Sequence, residues 1–181
     1  MTVRGSEHAD PDAGLSSAAI AALAGQLRQL AVEGRGIPHL PAPILAALRD
    51  LAPIVVVELC IVDAQGAVLL TWRDDEHWRG WHFPGGFMGP GESVAEACAR
   101  VAQRELGAAF VLGGVVGVES WPSHPFASPV ALLCRGTLDG PPSDGRFFAE
   151  VPADLIVEQR AYFASLAAGR LVIADRMREA P

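Results

Sequence analysis

The apolar residues follow a helical period near the start of the chain and a strand-like pattern further along it. Residues 1–14 are small, acidic and proline-containing, which predicts disorder. In SSAAIAALAGQLRQLAVEG the leucines and one isoleucine recur every three or four residues, which predicts a helix that ends at Gly34. GIPHLPAP predicts a linker, and PILAALRDL predicts a second, shorter helix.

The middle of the chain changes to β-type runs. IVVVELCIV and AVLLTWR flank the turn residues Asp63–Gly66, which predicts a β-hairpin. DDEHWRGW is polar and predicts a loop, and FPGGFMGPGE is too rich in glycine and proline to be regular. SVAEACARVAQREL is the clearest helix of the chain.

The last third of the chain predicts two strands in AFVLGGVVGVES and SPVALLCRGTL, separated by the loop WPSHPFA. RFFAEV predicts a short strand, and DLIVEQRAYFASLAAG predicts a closing helix. This order predicts an α/β fold, an α/β/α sandwich with a mixed β-sheet. Residues 1–50 are expected to form a disordered start and an N-terminal helical extension, and residues 51–181 the main domain.

Composition limits the possible functions. The chain has 181 residues, and 21 acidic against 14 basic side chains give a net charge of −7, which argues against a nucleic-acid-binding protein. All the basic residues are arginine, and lysine and asparagine are absent, which indicates a GC-rich bacterial genome. A hydrophobic fraction of 50% argues against wholesale disorder.

Cysteine and hydropathy patterns indicate a cytoplasmic protein. Cys60, Cys98 and Cys134 lie in separate apolar stretches, which predicts buried, reduced thiols. The polar start lacks the apolar segment of a signal peptide. No apolar run approaches the roughly 20 residues of a membrane span, since Glu58 interrupts the longest one. We therefore expect a soluble protein with no membrane partner.

The segment from Gly85 to Gly107 contains the candidate chemistry. Ser93 and Glu96 have the spacing of a capping box, and Gly107 is placed to end the helix. At about 100° per residue, Glu105 falls on the apolar face of this helix. A carboxylate there is costly unless it is paired, and its partner could be an arginine, a backbone cap or a metal.

Five residues of this segment carry a family resemblance. Gly86, Glu92, Arg100, Glu105 and Gly107 have the spacing G-x5-E-x7-R-x4-E-x-G and follow W-x-F-P-G-G, which resembles the Nudix box of Nudix hydrolases. The resemblance covers roughly residues 52–168. It implies a Nudix-type α/β/α sandwich that hydrolyses nucleoside diphosphates linked to another moiety, with Mg²⁺ or Mn²⁺ bound by glutamates of the box helix.

The resemblance also implies a set of metal ligands, and the box departs from the family pattern. Glu105 would be the main ligand, with a backbone carbonyl at Gly85 or Gly86 and with Glu92 as an outer ligand. Val101 and Arg104 stand where the family has further glutamates, so several bound metal ions are not expected.

A similar reduced box occurs in GDP-mannose mannosyl hydrolases, which this box resembles most. They break the sugar C–O bond with one Mg²⁺ on the diphosphate. Their base is a histidine from the loop before the last strand, and the matching loop here, DGPPSDGR, has no histidine.

The missing histidine leaves the general base open. His124 in WPSHPFA could replace it, because its pKa lies near neutrality, and Asp144 is the nearest residue to the missing position. Arg100 is a catalytic candidate, although the resemblance favours an ion pair of Arg100 with Glu92 that braces the loop on the helix.

The candidate substrate-binding residues are Arg73, Arg79, Arg104 and Trp81. Guanidinium groups match phosphate oxygens, and an indole could stack on a base or sugar. Solvated surface arginines and ordinary packing of the indole are the alternatives. His77 and His82 are assigned no role.

Two functions from different classes fit these observations. The first is a hydrolase of a nucleoside diphosphate derivative, such as a nucleotide sugar, with Mg²⁺ on the diphosphate. The second is a catalytically impaired Nudix-fold module that binds a nucleotide or a protein partner. In either case the N-terminal helices could mediate homodimerisation.

Overall fold

The computed structural model describes residues 16–33, 40–75, 77–121 and 129–167. The helices are α1 Ser17–Val32, α2 Ala42–Leu51, α3 Val94–Leu106 and α4 Arg160–Ala167, and a short 3-10 helix, Val157–Gln159, precedes α4. The strands are β1 Ile54–Ile61, β2 Val68–Asp74, β3 Arg79–His82, β4 Gly85–Phe87, β5 Ala109–Ser120, β6 Pro129–Asp139 and β7 Arg146–Phe148. In these ranges no helix is both long and apolar enough to cross a membrane.

The chain divides into two compact units between Leu40 and Pro41, and α1 belongs to the first. The second contains a four-stranded mixed sheet, ordered β4-β1-β6-β5, in which β1 runs parallel to β6 and the other pairs are antiparallel. A three-stranded antiparallel sheet is ordered β3-β2-β7. The predicted α/β fold with a mixed sheet is thereby confirmed. The predicted end of α1 at Gly34 lies outside the described residues.

Two apolar clusters use the two faces of β1, which explains why this strand is almost continuously apolar. Val57 and Leu59 belong to a cluster with the buried face of α3. Cys60, on the alternate face, belongs to a cluster with Phe83 and Tyr162. Each fully buried side chain of this size contributes roughly 1.5–3 kcal/mol. The three cysteines are buried and free, as predicted.

The predicted hairpin of β1 and β2 is wrong, although its strands and turn are present. Asp63 accepts hydrogen bonds from the Gln65 and Ala67 amides at 2.9 and 2.8 Å, and this closes the turn. Backbone pairing between these two runs is limited to one isolated β-bridge, Val62 with Val68. Both edges of β1 are already paired, with β4 and β6, so β2 begins the second sheet instead.

Two short strands occur where the sequence predicted irregular structure. β3 lies in the polar DDEHWRGW segment and pairs with β2, and β4 lies in FPGGFMGPGE and pairs with β1. Backbone hydrogen bonding to a neighbouring strand overrides the weak strand preference of these residues. The closing helix was also predicted too long, because its first turn is the 3-10 helix and α4 begins at Arg160.

Candidate active site

Helix α3 is fixed at both ends by local contacts. The Ser93 hydroxyl accepts from the Glu96 amide at 3.3 Å, and the Glu96 carboxylate accepts from the Ser93 amide at 2.8 Å, so the predicted capping box is present. The Ser93 hydroxyl also donates to the Glu96 carboxylate at 2.7 Å, and this bond, followed by the one from the Ser93 amide, lowers the pKa of Glu96. Gly107 ends the helix with φ 59°, a left-handed conformation that favours glycine. The register of the residues between these caps is therefore well determined.

Glu92 and Arg100 connect the loop before α3 to the helix. Arg100 donates from Nε and Nη2 to the two Glu92 carboxylate oxygens at 2.5 and 2.7 Å. The same Nη2 donates to the Phe87 carbonyl at 2.8 Å, and the Gly89 amide donates to Glu92 at 2.7 Å. The Arg100 hydrogen bonds lower the pKa of Glu92 to about 2. These contacts favour the bracing ion pair, while a catalytic Arg100 and an outer-ligand Glu92 stay predictions.

Strand β4 and the end of α3 meet at the centre of the site. The Gly85 amide donates to Oε2 of Glu105 at 3.3 Å. Arg104 donates from Nη2 to the Gly85 carbonyl at 2.9 Å and to Oε1 of Glu105 at 2.5 Å. Two of the predicted metal ligands, the Gly85 carbonyl and Glu105, are therefore brought together, and the Arg104 guanidinium binds both.

Glu58 is a site residue that the sequence reasoning passed over. It lies opposite Gly85 in the β1–β4 register and is buried. Oε1 accepts from Gln159 at 3.5 Å, and Oε2 is buried with no hydrogen-bond partner among the described residues. Burial, and then the nearby Glu105, raise the pKa of Glu58 well above its usual value. The available signal was one carboxylate inside the apolar run IVVVELCIV.

β2 and β3 contribute a second group of polar side chains. The Nε2 atom of His82 lies 3.1 Å from the hydroxyl oxygen of Thr71, within hydrogen-bond distance. Burial, followed by the charge of Arg73, lowers the pKa of His82 to about 4, so the ring is neutral at physiological pH. Arg73 forms an ion pair with Asp75. Burial raises the pKa of Glu105, while the hydrogen bond and charge of Arg104 and, more weakly, the charge of Arg73 act in the opposite direction.

The loop before β7 reaches the end of α3. The Ser143 amide and hydroxyl both donate to the Leu106 carbonyl, at 2.7 and 2.9 Å. The next residue, Asp144, is exposed and accepts from the Gly145 amide at 2.6 Å. Asp144 therefore follows directly on the residue that is docked at the C-terminus of the box helix.

The other candidates have contacts elsewhere or fall outside the described ranges. Arg79 is largely exposed and lies 3.6 Å from Asp74. Trp81 packs edge-on against Trp72 and Phe148, with ring centroids 5.3 and 4.8 Å apart. His124 lies outside the described residues. The roles proposed for all three in the sequence analysis stay predictions.

Comparison with known proteins identifies the family. The model of the NUDIX domain matches residues 52–151. The chain belongs to the Nudix family. This is a family of hydrolases, and its enzymes generally use divalent metal ions.

One curated protein shares a short stretch of sequence with this chain, and solved structures share its fold. The chain is 43% identical to the low-salt glycan biosynthesis protein Agl8 of Haloferax volcanii over 56 residues, which are 30% of this chain and 35% of that protein. The match thus spans about a third of that curated relative's length. The structure resembles a NUDIX hydrolase from Nitrosomonas europaea (19% identity, 71% of this chain and 98% of that one, TM-score 0.54). It also resembles the MutT NUDIX hydrolase from Burkholderia pseudomallei (23% identity, 62% of this chain and 97% of that one, TM-score 0.56). Both structures share the fold.

The part of the chain that the structure describes does not reproduce the metal site that is usual in Nudix enzymes. The described ranges hold no group of three or more His, Cys, Asp or Glu side chains that could bind a metal ion. Val101, at one acidic position of the box, is completely buried in the core. Arg104, at another, bonds to both Gly85 and Glu105. These residues do not fit a resident divalent ion.

Proposed function

We propose that this Nudix protein is a cytoplasmic hydrolase of nucleoside diphosphate derivatives, with nucleotide sugars as the first class to test. Mg²⁺, or Mn²⁺, would enter as the counter-ion of the diphosphate and thus as part of the substrate. The observation that supports this proposal is the Arg104 guanidinium, which is half exposed and lies against Gly85 beside Glu105. A guanidinium of this kind matches phosphate oxygens in a bidentate manner.

Several side chains have complementary parts in this proposal. Arg104 would bind the diphosphate, and Arg73 would add positive potential at the same end of α3. Asp144, exposed beside the end of that helix, would activate a water molecule, with His124 as the alternative base. Nucleotide sugars come first because the relative Agl8 is named for glycan biosynthesis, and activated sugars are the donors in glycan assembly.

The test is turnover of a panel of nucleotide sugars and dinucleotides with Mg²⁺ by the full chain. Glu105→Gln should lower turnover roughly 100-fold or more, because it removes the box carboxylate that orients Arg104. Glu150→Gln, the same change at an exposed position, should leave it unchanged. The hydrolase proposal is refuted if the wild type turns over no substrate of the panel faster than Glu105→Gln does.

A second candidate is a Nudix-fold module that binds a nucleotide or a protein partner without hydrolysis. Two observations favour it. Val101 is buried, and Arg104 is bonded to Glu105, the acidic residue that remains where the family's box has its metal-binding glutamates. Calorimetry that detects nucleotide binding of equal strength in Mg²⁺ and in EDTA, together with no turnover, would support this candidate. Hydrolysis that requires a metal ion would eliminate it.

A further inference from the structure

The Gly85 carbonyl and the Glu105 carboxylate together form a cation-binding arrangement. One nitrogen of Arg104, Nη2, occupies it, at 2.9 Å from the carbonyl and 2.5 Å from Oε1. The second carboxylate oxygen is oriented by the Gly85 amide at 3.3 Å. Two hard oxygen donors that could bind a divalent ion are therefore satisfied by a side chain of the protein itself.

The backbone of β4 is shaped to receive this guanidinium. A Cβ at Gly86 would lie 3.0 Å from Nη2 and 3.5 Å from Nη1 of Arg104. A Cβ at Gly85 would lie 2.5 Å from Oε2 of Glu58 and would therefore collide with that carboxylate. Gly86 thus allows the guanidinium to lie close to the strand, whereas Gly85 makes room for the Glu58 carboxylate. The close approach at Gly86 is an observation separate from the hydrogen bonds.

The local charges also favour a permanent cation. Glu105 keeps only 19% of its side-chain surface exposed, and the buried Glu58 interacts with it electrostatically. Arg104 balances this negative charge without the cost of stripping water from a metal ion. Both of its bonds use Nη2, so the other N–H groups of the half-exposed guanidinium are left for an anion.

We propose that Arg104 is the resident cation of this site, taking the place of a divalent ion between the Gly85 carbonyl and Glu105 and receiving the diphosphate directly. The nature of the anion rests on the proposed function, whereas the substitution of a metal ion by Arg104 does not. The free protein accordingly has little affinity for Mg²⁺ or Mn²⁺. Replacing Arg104 by glutamate, the residue usual at this box position, would create a metal site with Glu105.

The experiment measures Mn²⁺ binding to the full chain by electron paramagnetic resonance, with no substrate present. Wild type should bind Mn²⁺ only in the millimolar range, and Arg104→Glu should bind it roughly 100-fold more tightly or better, because a repelling cation is replaced by a second carboxylate. Arg104→Gln, which removes the cation alone, should bind it about tenfold more tightly. Arg28→Glu, with the same charge change on an exposed position of α1, should behave as wild type.

A second measurement follows inorganic pyrophosphate by calorimetry in EDTA. Wild type should bind it, and Arg104→Gln should weaken binding roughly tenfold or more, the value of a charged hydrogen bond. Micromolar Mn²⁺ binding by wild type would overturn the proposal, as would an Arg104→Glu protein with native circular dichroism and no gain in Mn²⁺ affinity. Pyrophosphate binding that is lost in EDTA would overturn it as well. Neither measurement uses turnover, so an inactive protein could still confirm the resident cation, and an active one could refute it.

Discussion

Replacing Glu92 with glutamine should loosen the loop between β4 and α3 and change how stability depends on pH. The Glu92 carboxylate accepts three hydrogen bonds, two from Arg100 at 2.5 and 2.7 Å and one from the Gly89 amide at 2.7 Å. Glutamine is nearly isosteric, but it removes the charge and can match only part of the Arg100 fork. The substitution therefore tests the ion pair without leaving a cavity.

The size of the effect follows from the pKa. The Arg100 hydrogen bonds lower the pKa of Glu92 to about 2 from an ordinary 4.5, which at about 1.4 kcal/mol per pKa unit sets an upper limit of about 3.5 kcal/mol. Because 38% of the Arg100 side chain is exposed, water screens part of this interaction. We expect Glu92→Gln to lower the free energy of unfolding by about 1–2 kcal/mol at pH 7.

The sign of the pH dependence is equally definite. A depressed carboxylate pKa stabilises the folded state above the pKa of the unfolded chain, near 4.5, and this contribution is lost as the pH falls towards 2. The loss of unfolding free energy in Glu92→Gln, relative to the wild type, should thus be greatest at pH 6–7 and should shrink below pH 4.5. Urea unfolding followed by tryptophan fluorescence at pH 7, 5 and 3.5 measures it, with Glu150→Gln as the exposed control. A deficit below about 0.5 kcal/mol at pH 7, or one that is constant down to pH 3.5, would refute the reasoning.

Three further predictions concern residues around the site. Burial raises the pKa of Glu58, so the wild type should lose stability as the pH rises above 4.5. In urea unfolding between pH 5 and 8, the free energy of unfolding of Glu58→Gln should exceed that of the wild type by roughly 1–3 kcal/mol. Burial lowers the pKa of His82 from 6.5 to about 4, so stability should fall as the pH drops through this window, and His82→Gln should flatten that part of the unfolding profile. Gly85→Ala should cost roughly 1–3 kcal/mol in thermal or urea unfolding, because the new Cβ would lie 2.5 Å from Glu58 and 3.0 Å from the Val57 carbonyl. Gly25→Ala, with nothing within 4 Å, should be neutral or slightly stabilising.

Local signals were enough to predict the helices and most strands. The capping residues Ser93 and Gly107 act within one turn of α3, and the apolar period of that helix is set by its own residues. The partners of β1 were not predictable in the same way, because pairing with β4 and β6 depends on contacts between distant parts of the chain. The hairpin prediction failed for this reason, and β4 was missed because its strand conformation is imposed by β1.

The candidate site shows the same division between local and long-range information. The contact of Glu92 with Arg100 was predicted from the resemblance of this short segment to the Nudix box, and the structure contains it. Glu58 was recognised only as an interruption of an apolar run, since its place opposite Gly85 is fixed by cross-strand register. His82 was assigned no role, because its environment is made by Thr71 and Arg73 of the neighbouring strand.

The charge balance at β4 explains why one arginine has so large a part in both candidate functions. The chain has a net charge of −7, and the mostly buried carboxylate of Glu105 lies beside Gly85, where a diphosphate would bind in the proposed function. Without Arg104, a diphosphate would meet local negative charge, so removing this one guanidinium both deletes hydrogen bonds and exposes the substrate to repulsion. Because Glu105 keeps only 19% of its side-chain surface exposed, salt would screen this repulsion only weakly. The loss of pyrophosphate binding in Arg104→Gln should therefore persist at high ionic strength, whereas a loss caused by an exposed arginine such as Arg79 should disappear there.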